Sequence, residues 1–242
     1  MDDKMTMIIT MAGAGSRFYK AGYRMPKYMI EAKGRTLFDW SMDSLTDYNE
    51  HVDQYVFVVK KEDHASDFIR EHCALYGIQG IQIIEIDRLT DGQASTCMLA
   101  IPYCLKDRAI MIYNIDTYVE PCEMKYSDLS GDGHIPCFHG DGDHWSFVKL
   151  DETGNVAEVR EKVRISKYCT LGAYYFSSAA LYEKLYHEYY AKQHGRDKSE
   201  KYIAPLYQHM VEKGMKVTIS LIESDKVHVL GTPEELNAFL EV

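Results

Sequence analysis

Short apolar runs alternate with longer stretches of mixed polarity through the first half of the chain. The runs are apolar on both faces, which is typical of strands in a parallel sheet that helices cover on both sides. They predict strands at 7–11, 54–59, 81–86 and 109–114, and helices at 37–47, 63–76 and 94–104. This alternation predicts an α/β fold in which helices flank a Rossmann-like, mostly parallel central sheet.

The second half of the chain has shorter runs in a more alternating pattern. These predict strands at 137–139, 146–150, 157–160 and 171–176, helices at 178–193 and 200–213, and strands at 216–222 and 226–230. A last helix is expected to begin at Thr232, which caps it, with Pro233 in its first turn. The change of pattern predicts an inserted mixed β portion within a single domain, 1–242.

Composition narrows the class of protein. The chain has 242 residues, 46% of them apolar, and a formal net charge of −10 from 27 basic and 37 acidic side chains. An acidic chain without a basic stripe argues against nucleic acid as a partner. No run approaches the ~18 apolar residues of a spanning helix, so no membrane association is expected. The six cysteines include no C-x-x-C pair and no signal sequence is recognised, which predicts reduced thiols in a cytoplasmic protein.

A glycine-rich loop follows the first predicted strand directly. It consists of Met11, Ala12, Gly13, Ala14, Gly15, Ser16 and Arg17, and Pro26–Lys27 comes after it. Glycines let a backbone approach an anion where a Cβ would clash, and successive backbone N–H groups can cradle phosphates. Arg17 and Lys27 add positive charge beside the loop. The layout predicts a site for a nucleoside triphosphate, although a bare G-x-G after a strand is also common as an ordinary tight turn.

The loop matches neither of the two common phosphate-binding patterns. The P-loop pattern is absent, and Phe18 stands where the dinucleotide pattern needs its third glycine. Together with Pro26–Lys27, the loop instead resembles the signature of the sugar-nucleotidyltransferases, the nucleotide pyrophosphorylases. The resemblance implies that the loop binds the triphosphate and that Lys27 contacts phosphate. It also implies a nucleotide-binding half at about 7–118 and an acceptor-binding half at about 119–242.

An acidic residue follows the most apolar predicted strand. The run Asn114-Ile115-Asp116 places a carboxylate at the strand end, where it is suited to hold Mg²⁺ against a triphosphate. Taken alone, such an aspartate is more often a loop cap. The family has the same element of a strand followed by aspartate, which implies that Asp116 binds the catalytic Mg²⁺.

The pair Glu161-Lys162, followed by Gly172, is the third match to the family. The resemblance implies that Lys162 binds the attacking phosphate, that Glu161 binds a hydroxyl of the acceptor, and that Gly172 lets the acceptor pass close to the backbone. Asn114 and Ser146 are expected on the same acceptor side. An isolated Glu-Lys pair is usually a solvated surface pair, and only its order after the earlier motifs favours a functional interpretation.

The segment 87–93 occupies the place where the family reads the base. Gly92 matches a glycine whose backbone touches the base, and Gln93 follows it. Where thymidylyl- and uridylyltransferases often have glutamine, this chain has Asp87. A carboxylate only accepts hydrogen bonds, so it suits the exocyclic amine of cytosine better than the O4 of uracil or thymine. This favours CTP, and the other interpretation of Asp87 is an exposed turn residue.

Two departures from the family pattern bear on the metal and the acceptor. Val229 stands two residues before Gly231, where many members have an acidic metal ligand. Either a single carboxylate is enough to bind the metal ion, or Asp225 or Glu223 supplies a second carboxylate ligand. Ser146 stands where sugar-binding members tend to have glycine beside the sugar ring, which argues against an ordinary hexose.

The longer string from Ile9 to Ile30 is similar to small cytidylyltransferases of bacterial capsule loci, among them those that use phosphoglutamine. We therefore predict transfer from CTP to phosphoglutamine in capsule polysaccharide synthesis, with release of pyrophosphate. A hexose-1-phosphate acceptor with UTP, dTTP or CTP is the nearest alternative. A non-catalytic, nucleotide-binding regulatory protein is favoured only by Val229. A glycosyltransferase would need an Asp-x-Asp motif, whose first position here is Asn114.

Two further clusters suggest other chemistry. The ligand types of His134, Cys137, His139 and His144 suit zinc, but their spacing fits no usual pattern. The tyrosines late in the chain are more typical of packing or of a homodimer face than of a base-stacking platform. They are Tyr182, Tyr186, Tyr189, Tyr190, Tyr202 and Tyr207.

Overall fold

A computed structural model describes residues 4–191 and 200–241 of the chain. The strands are β1 Met5–Thr10, β2 Glu31–Ala32, β3 Arg35–Thr36, β4 Val52–Lys60, β5 Ile81–Ile86, β6 Ile110–Asn114, β7 Thr117–Val119, β8 Gly133–His139, β9 Ser146–Leu150, β10 Val156–Glu161, β11 Tyr168–Thr170, β12 Ala173–Phe176, β13 Val217–Leu221 and β14 Val227–Val229. The α-helices are α1 Ser16–Lys20, α2 Leu37–Asp43, α3 Ser66–Leu75, α4 Gln93–Ala100, α5 Ala179–Tyr190, α6 Ala204–Glu212 and α7 Pro233–Glu241.

Ten strands of the described ranges form one sheet in the order β10-β9-β11-β8-β12-β6-β1-β4-β5, with β13 paired to β8 off that path. Strands β5, β4, β1 and β6 run parallel to one another. Strand β12 pairs antiparallel with β6 and then with β8. The predicted α/β class, with helices flanking a parallel core, is confirmed. The mixed β portion is a continuation of the same sheet, joined to it through β12.

The sheet separates two hydrophobic cores, because its central strands are apolar on both faces. Along β1, Met7 and Ile9 belong to one core and Ile8 to the other. Helices α2 and α3 cover the first core, with Phe38 among their buried side chains. Helices α4, α5 and α6 cover the second, with Tyr207 among theirs. The cores hold the sheet rigidly, so the loops at its strand ends start from fixed positions.

Two predicted helix boundaries are wrong because of proline. The helix predicted at 200–213 begins at Ala204, since Pro205 has no N–H to donate and is tolerated only in the first turn. The helix predicted at 94–104 ends at Ala100, and Pro102 lies in the 3₁₀ turn that follows. Residues 192 and 193 of another predicted helix lie outside the described residues.

Glycine accounts for another difference. The strand predicted at 171–176 begins only at Ala173, as β12, because Gly172 has a φ of +88° that is incompatible with an extended strand. Strand β11, which ends before this glycine, was not predicted. The short helix α1, the pair β2–β3 and strand β7 were not predicted, because each is too short to leave a periodic pattern. Strand β14 was predicted, at 226–230, and it pairs with β7 directly after Asp116.

Candidate active site

A cavity of about 660 Å³ opens at the carboxyl ends of β1 and β6, where the parallel strands meet the antiparallel extension of the sheet. Its volume is typical of small-molecule sites, and open α/β sheets bind ligands at this edge. The predicted site residues that line it are Met11, Ala12, Gly13, Ala14, Arg17, Lys27, Gly92, Gln93, Asn114, Asp116, Ser146, Glu161, Lys162 and Gly172. Gly15, Ser16 and Asp87 are not among the lining residues.

The glycine-rich loop leaves β1 and runs along one wall of the cavity. A Cβ on Gly13 would have no protein atom within 4 Å, so the backbone there faces open space. Gly15 takes a left-handed φ of +61° and is the N-cap of α1. Phe18 is buried and anchors α1, whereas Arg17 is exposed and borders the cavity. This wall therefore exposes the backbone at Gly13 and the guanidinium of Arg17 to the cavity.

Lys27 and Asp116 form an ion pair in the cavity. Lys27 Nζ donates to Asp116 Oδ2 at 2.5 Å, and 21% and 28% of the two side chains remain exposed. Strand β6 delivers Asp116 just past its last residue, and Pro26 directs Lys27 into a short 3₁₀ turn. The pair places an oxygen donor for a metal ion and an ammonium group for a phosphate side by side.

A second carboxylate lies beside Asp116. A Cβ on Gly231 would stand 3.3 Å from Asp116 Oδ2 and 3.4 Å from Glu235 Oε2. The Glu235 oxygen is buried and has no hydrogen-bond partner in the described part of the chain. The described residues contain no group of three metal-ligating side chains, but Mg²⁺ is usually held by one or two carboxylates together with substrate phosphates. The donors present therefore fit Mg²⁺.

The residues around Val229 correct one expectation. Val229 lines the cavity and is in register with Thr117, next to Asp116, so the position of the missing acid is indeed at the site. Asp225 and Glu223, proposed from sequence as its replacements, are exposed and do not line the cavity. Both residues precede β14, whereas Gly231 and Glu235, which line the cavity, follow it.

A chain of amide contacts fixes the floor of the cavity. Gln93 Nε2 donates to Asn114 Oδ1 and, at 3.2 Å, to Thr10 Oγ1, which ties α4 to the ends of β6 and β1. A Cβ on Gly172 would stand 2.5 Å from Asn114 Nδ2. The bare backbone at Gly172 therefore makes room for the Asn114 side chain, whereas sequence reasoning assigned that room to the acceptor. Gly172 still lines the cavity next to this amide.

Gly92 is constrained by the neighbouring backbone as well. A Cβ there would stand 2.4 Å from the carbonyl oxygen of Lys201. Its φ is +143°, and the Ala94 N–H donates to that same carbonyl at 3.0 Å. Close packing against Lys201 is thus sufficient reason for glycine at this position.

The opposite wall carries the predicted acceptor residues. Ser146 Oγ donates to Glu161 Oε2, and Lys162 Nζ lies 3.9 Å from Glu161 Oε1. Burial raises the pKa of Glu161, although Ser146 and Lys162 oppose that shift. Lys162 has a positive φ of +54°, and its ammonium donates to the Tyr202 hydroxyl and lies 4.2 Å from the ring centroid. This end of the cavity combines one half-exposed cation with a largely buried carboxylate.

Asp87 does not reach the cavity. Its side chain is 78% exposed and pairs with Lys61 at 3.3 Å, beyond the end of β5. The cavity is lined instead by residues 89–93 of the same segment. The geometry therefore gives Asp87 no contact with a base in this cavity, and the exposed-turn interpretation of this residue agrees with its position.

Several lining residues were missed by sequence reasoning. Trp145, Glu200 and Tyr202 border the acceptor end, and Glu235 borders Asp116. Glu235 directly follows the segment Gly231-Thr232-Pro233-Glu234, so its position next to a recognisable helix start could have identified it from the sequence. The other three stand in no recognised motif, and only the folded arrangement brings them to the cavity.

The remaining candidate clusters have structural explanations. His134 is buried and bonded to Thr218 Oγ1 at 2.8 Å and Ser220 Oγ at 3.1 Å, and no zinc-type cluster occurs in the described ranges. All six cysteines lie in the described ranges and are unpaired. Three of the late tyrosines are buried in the second core, namely Tyr182, Tyr190 and Tyr207. Within residues 4–191 and 200–241, no helix has the length and apolar character to cross a membrane.

Comparisons with known proteins place these observations in a family. No protein-family model and no curated protein matches the chain. Among solved structures, the nucleoside-diphosphate-sugar pyrophosphorylase from Vibrio cholerae RC9 is 35% identical, with a TM-score of 0.88 over 98% of this chain and 100% of that one.

Two more distant structures share the fold. The inositol-1-phosphate CTP transferase from T. maritima is 18% identical, with a TM-score of 0.76 over 98% of this chain and 94% of that one. The CTP:phosphocholine cytidylyltransferase LicC from Streptococcus pneumoniae is 14% identical, with a TM-score of 0.76 over 98% of both chains. On the strength of the Vibrio relative, which it matches over that protein's full length, the chain belongs to the nucleotidyltransferase family that includes the nucleoside-diphosphate-sugar pyrophosphorylases.

Proposed function

We propose that this protein transfers a nucleotide, with CTP favoured, from a nucleoside triphosphate to a phosphorylated small molecule, with phosphoglutamine favoured, and releases pyrophosphate. The observation that carries the proposal is that cationic side chains line one cavity from two separate parts of the sheet. Arg17 and Lys27 follow β1 and Lys162 follows β10, with Asp116 beside Lys27. Two separated cationic centres suit the joining of two phosphorylated substrates.

The proposed reaction is attack by an acceptor phosphate oxygen on the α-phosphorus, with breakage of the bond to the β-phosphate. The Gly13 backbone and Arg17 stabilise the leaving pyrophosphate, Lys27 steadies the α-phosphate, and Lys162 holds the acceptor phosphate. An acceptor phosphate is already ionised at neutral pH, so positioning and charge neutralisation supply the rate acceleration without a general base. Asp116 would hold Mg²⁺, and the ion would supply charge neutralisation at the triphosphate.

The choice of CTP and of phosphoglutamine rests on the resemblance of the 9–30 segment to capsule-locus cytidylyltransferases, not on Asp87. Ser146 gives independent support for an acceptor other than a plain hexose, because its hydroxyl donates a hydrogen bond to one carboxylate oxygen of Glu161. That contact reduces the capacity of Glu161 to accept from a sugar hydroxyl. A role in capsule polysaccharide synthesis belongs to the same proposal.

A hexose-1-phosphate acceptor is the second candidate. The observation in its favour is the name of the 35% identical relative, a nucleoside-diphosphate-sugar pyrophosphorylase. The two candidates make the same bond and differ only in the acceptor and the base.

Measuring pyrophosphate release with Mg²⁺ separates the candidates. CTP, UTP, dTTP, GTP and ATP are each paired with phosphoglutamine, phosphocholine and several hexose-1-phosphates. Release with CTP and phosphoglutamine is the expected result. Release only with a hexose-1-phosphate would keep the reaction and replace the acceptor. Tight nucleotide binding without release from any pair would favour a regulatory protein instead.

A further inference from the structure

The site lacks an acidic side chain at the position next to Asp116 on the neighbouring strand. Val229 occupies that position, in register with Thr117, and an isopropyl group has no donor atom for a metal ion. Asp116 also shares its Oδ2 with Lys27 at 2.5 Å, so part of its charge is already neutralised. If Mg²⁺ binds here, a further oxygen donor from the chain would strengthen its hold.

Glu235 supplies an oxygen in the required place. Its Oε2 stands 3.4 Å from the point where a Cβ on Gly231 would lie, and Asp116 Oδ2 stands 3.3 Å from the same point. The separation of the two oxygens is therefore at most the sum of these two distances. Glycine at 231 places no side chain of its own there, and both carboxylates border the cavity.

The burial of Glu235 Oε2 has no explanation within the described protein. The atom is inaccessible to solvent and accepts no hydrogen bond. Burying a carboxylate oxygen without a partner is costly, because the charged group loses its hydration. Such an atom next to a second carboxylate is suited to bind a cation.

Helix capping does not account for this oxygen. In α2 the capping box is complete, because Asp39 N–H donates to Thr36 Oγ1 and Asp39 Oδ2 accepts from Thr36 N–H, each at 3.2 Å. In α7 the Glu235 N–H donates to Thr232 Oγ1 at 3.2 Å, but Oε2 returns no bond within residues 4–191 and 200–241. The backbone of Glu235 takes part in the cap while this oxygen stays available.

We propose that Glu235 is the second carboxylate ligand of the catalytic Mg²⁺, in place of an acid at position 229. This inference rests on the proposed function, since it concerns the metal of the same reaction. Here the second ligand comes from the first turn of α7 instead of from β14.

The proposal is tested by measuring the binding of Mn²⁺, used in place of Mg²⁺. The electron paramagnetic resonance signal of the free ion reports how much Mn²⁺ remains unbound. The full chain is compared with Asp116→Asn, Glu235→Gln and Glu234→Gln, alone and with α,β-methylene CTP, which cannot be cleaved at the α–β bridge. Glu234 is an exposed neighbour in the same turn, so its variant removes the same charge without touching the cavity. We expect Glu235→Gln and Asp116→Asn each to weaken Mn²⁺ binding about tenfold or more, and Glu234→Gln to leave it unchanged.

Thermal unfolding gives a second readout, because a metal ligand and a purely structural helix cap predict different results for Glu235→Gln. Without metal, Glu235→Gln should unfold at a higher temperature than the unaltered chain, because it removes an unpaired carboxylate beside Asp116. Added Mn²⁺ should stabilise the unaltered chain more than this variant. A cap function would instead predict lower stability for Glu235→Gln and the same response to Mn²⁺.

The outcomes separate the inference from the function on which it rests. Unchanged Mn²⁺ binding by Glu235→Gln, together with weakened binding by Asp116→Asn, overturns the role of Glu235 and leaves the proposed function standing. Unchanged binding by both variants, or no Mn²⁺ binding by the unaltered chain with the nucleotide analogue, overturns the metal site as a whole.

Discussion

At the scale of single residues, Asp116 gives the sharpest test of the proposed chemistry. Asp116→Asn keeps the shape of the side chain and removes its charge, so we expect turnover to fall about 10²–10³-fold. The Lys27–Asp116 pair is partly exposed, so the loss of stability should stay within about 1 kcal/mol. Pyrophosphate release and urea unfolding measure the two quantities.

Asp225→Asn is the matched control for that substitution. Asp225 is exposed and lies outside the cavity, so its variant should retain full turnover. Retained turnover in Asp116→Asn would remove Asp116 from the reaction.

Gly172 carries a second prediction, which concerns the floor of the cavity. Gly172→Ala forces a Cβ to within 2.5 Å of Asn114 Nδ2 at a φ of +88°, whereas Gly154→Ala meets no atom within 4 Å at a similar φ of +85°. We expect Gly154→Ala to cost about 1 kcal/mol for the left-handed backbone, and Gly172→Ala about 3 kcal/mol because overpacking is added. Urea unfolding measures both, and equal costs would contradict the clash.

Individual site residues were predictable from sequence where a motif fixes both type and order. Arg17, Lys27, Asp116 and Lys162 are all at the cavity, because strand ends and the sheet order determine where they lie. Asp87 was expected to contact the base but does not line the cavity. Its position in the sequence of a variable loop does not determine whether its side chain faces inward. The orientation of Glu235 depends on how α7 docks beside Gly231, which no local pattern records.

At the scale of elements, the pairing of β8 with β13 buries a titratable group. His134 on β8 bonds to Thr218 and Ser220 on β13, and burial lowers its pKa to about 4 from an ordinary value of about 6.5. Between these values the unfolded chain binds more protons than the folded one, so the free energy of unfolding rises with pH. We expect His134 to account for a loss of up to about 2 kcal/mol between pH 6.5 and pH 5.

Urea unfolding at pH 5 and pH 7 measures this contribution as a difference between variants. Other groups titrate in the same interval, so the pH dependence of the unaltered chain is compared with that of His134→Asn, which should be smaller. His139→Asn removes an exposed histidine from the same strand and should leave the pH dependence nearly unchanged. An equal pH dependence in the unaltered chain and His134→Asn would show that His134 does not titrate abnormally.

The elements were predictable where a hydrophobic run is long, and less so where backbone chemistry intervenes. Strand β5 was predicted with its observed bounds, Ile81–Ile86, because the flanking segments are polar. Pro102 and Pro205 each shift a helix boundary, since a residue without an N–H is confined to a helix start or a turn. Each proline therefore lies close to the observed helix boundary, which apolar periodicity alone does not locate.

At the scale of the whole molecule, the continuous sheet bears on whether the two predicted halves are independent. The first core contains Met7 from one half and Phe147 from the other. The second contains Ile8 together with Val148 and Tyr207. Strand β12 joins the halves directly by pairing with β6. Each half therefore loses both a sheet neighbour and part of two cores if the other unfolds.

We accordingly predict that residues 1–242 unfold in one cooperative transition, with calorimetric and van't Hoff enthalpies that agree. Phe176 on β12 lies 4.8 Å from the Tyr207 ring centre and 5.0 Å from that of Tyr182. Phe176→Ala should cost about 3–5 kcal/mol and lower the whole transition by about 10 °C. Differential scanning calorimetry distinguishes this from two separable halves, in which the variant would move only one of two peaks. A single peak that shifts as a unit would also show that the cavity, which residues of both halves line, is lost only when the whole chain unfolds.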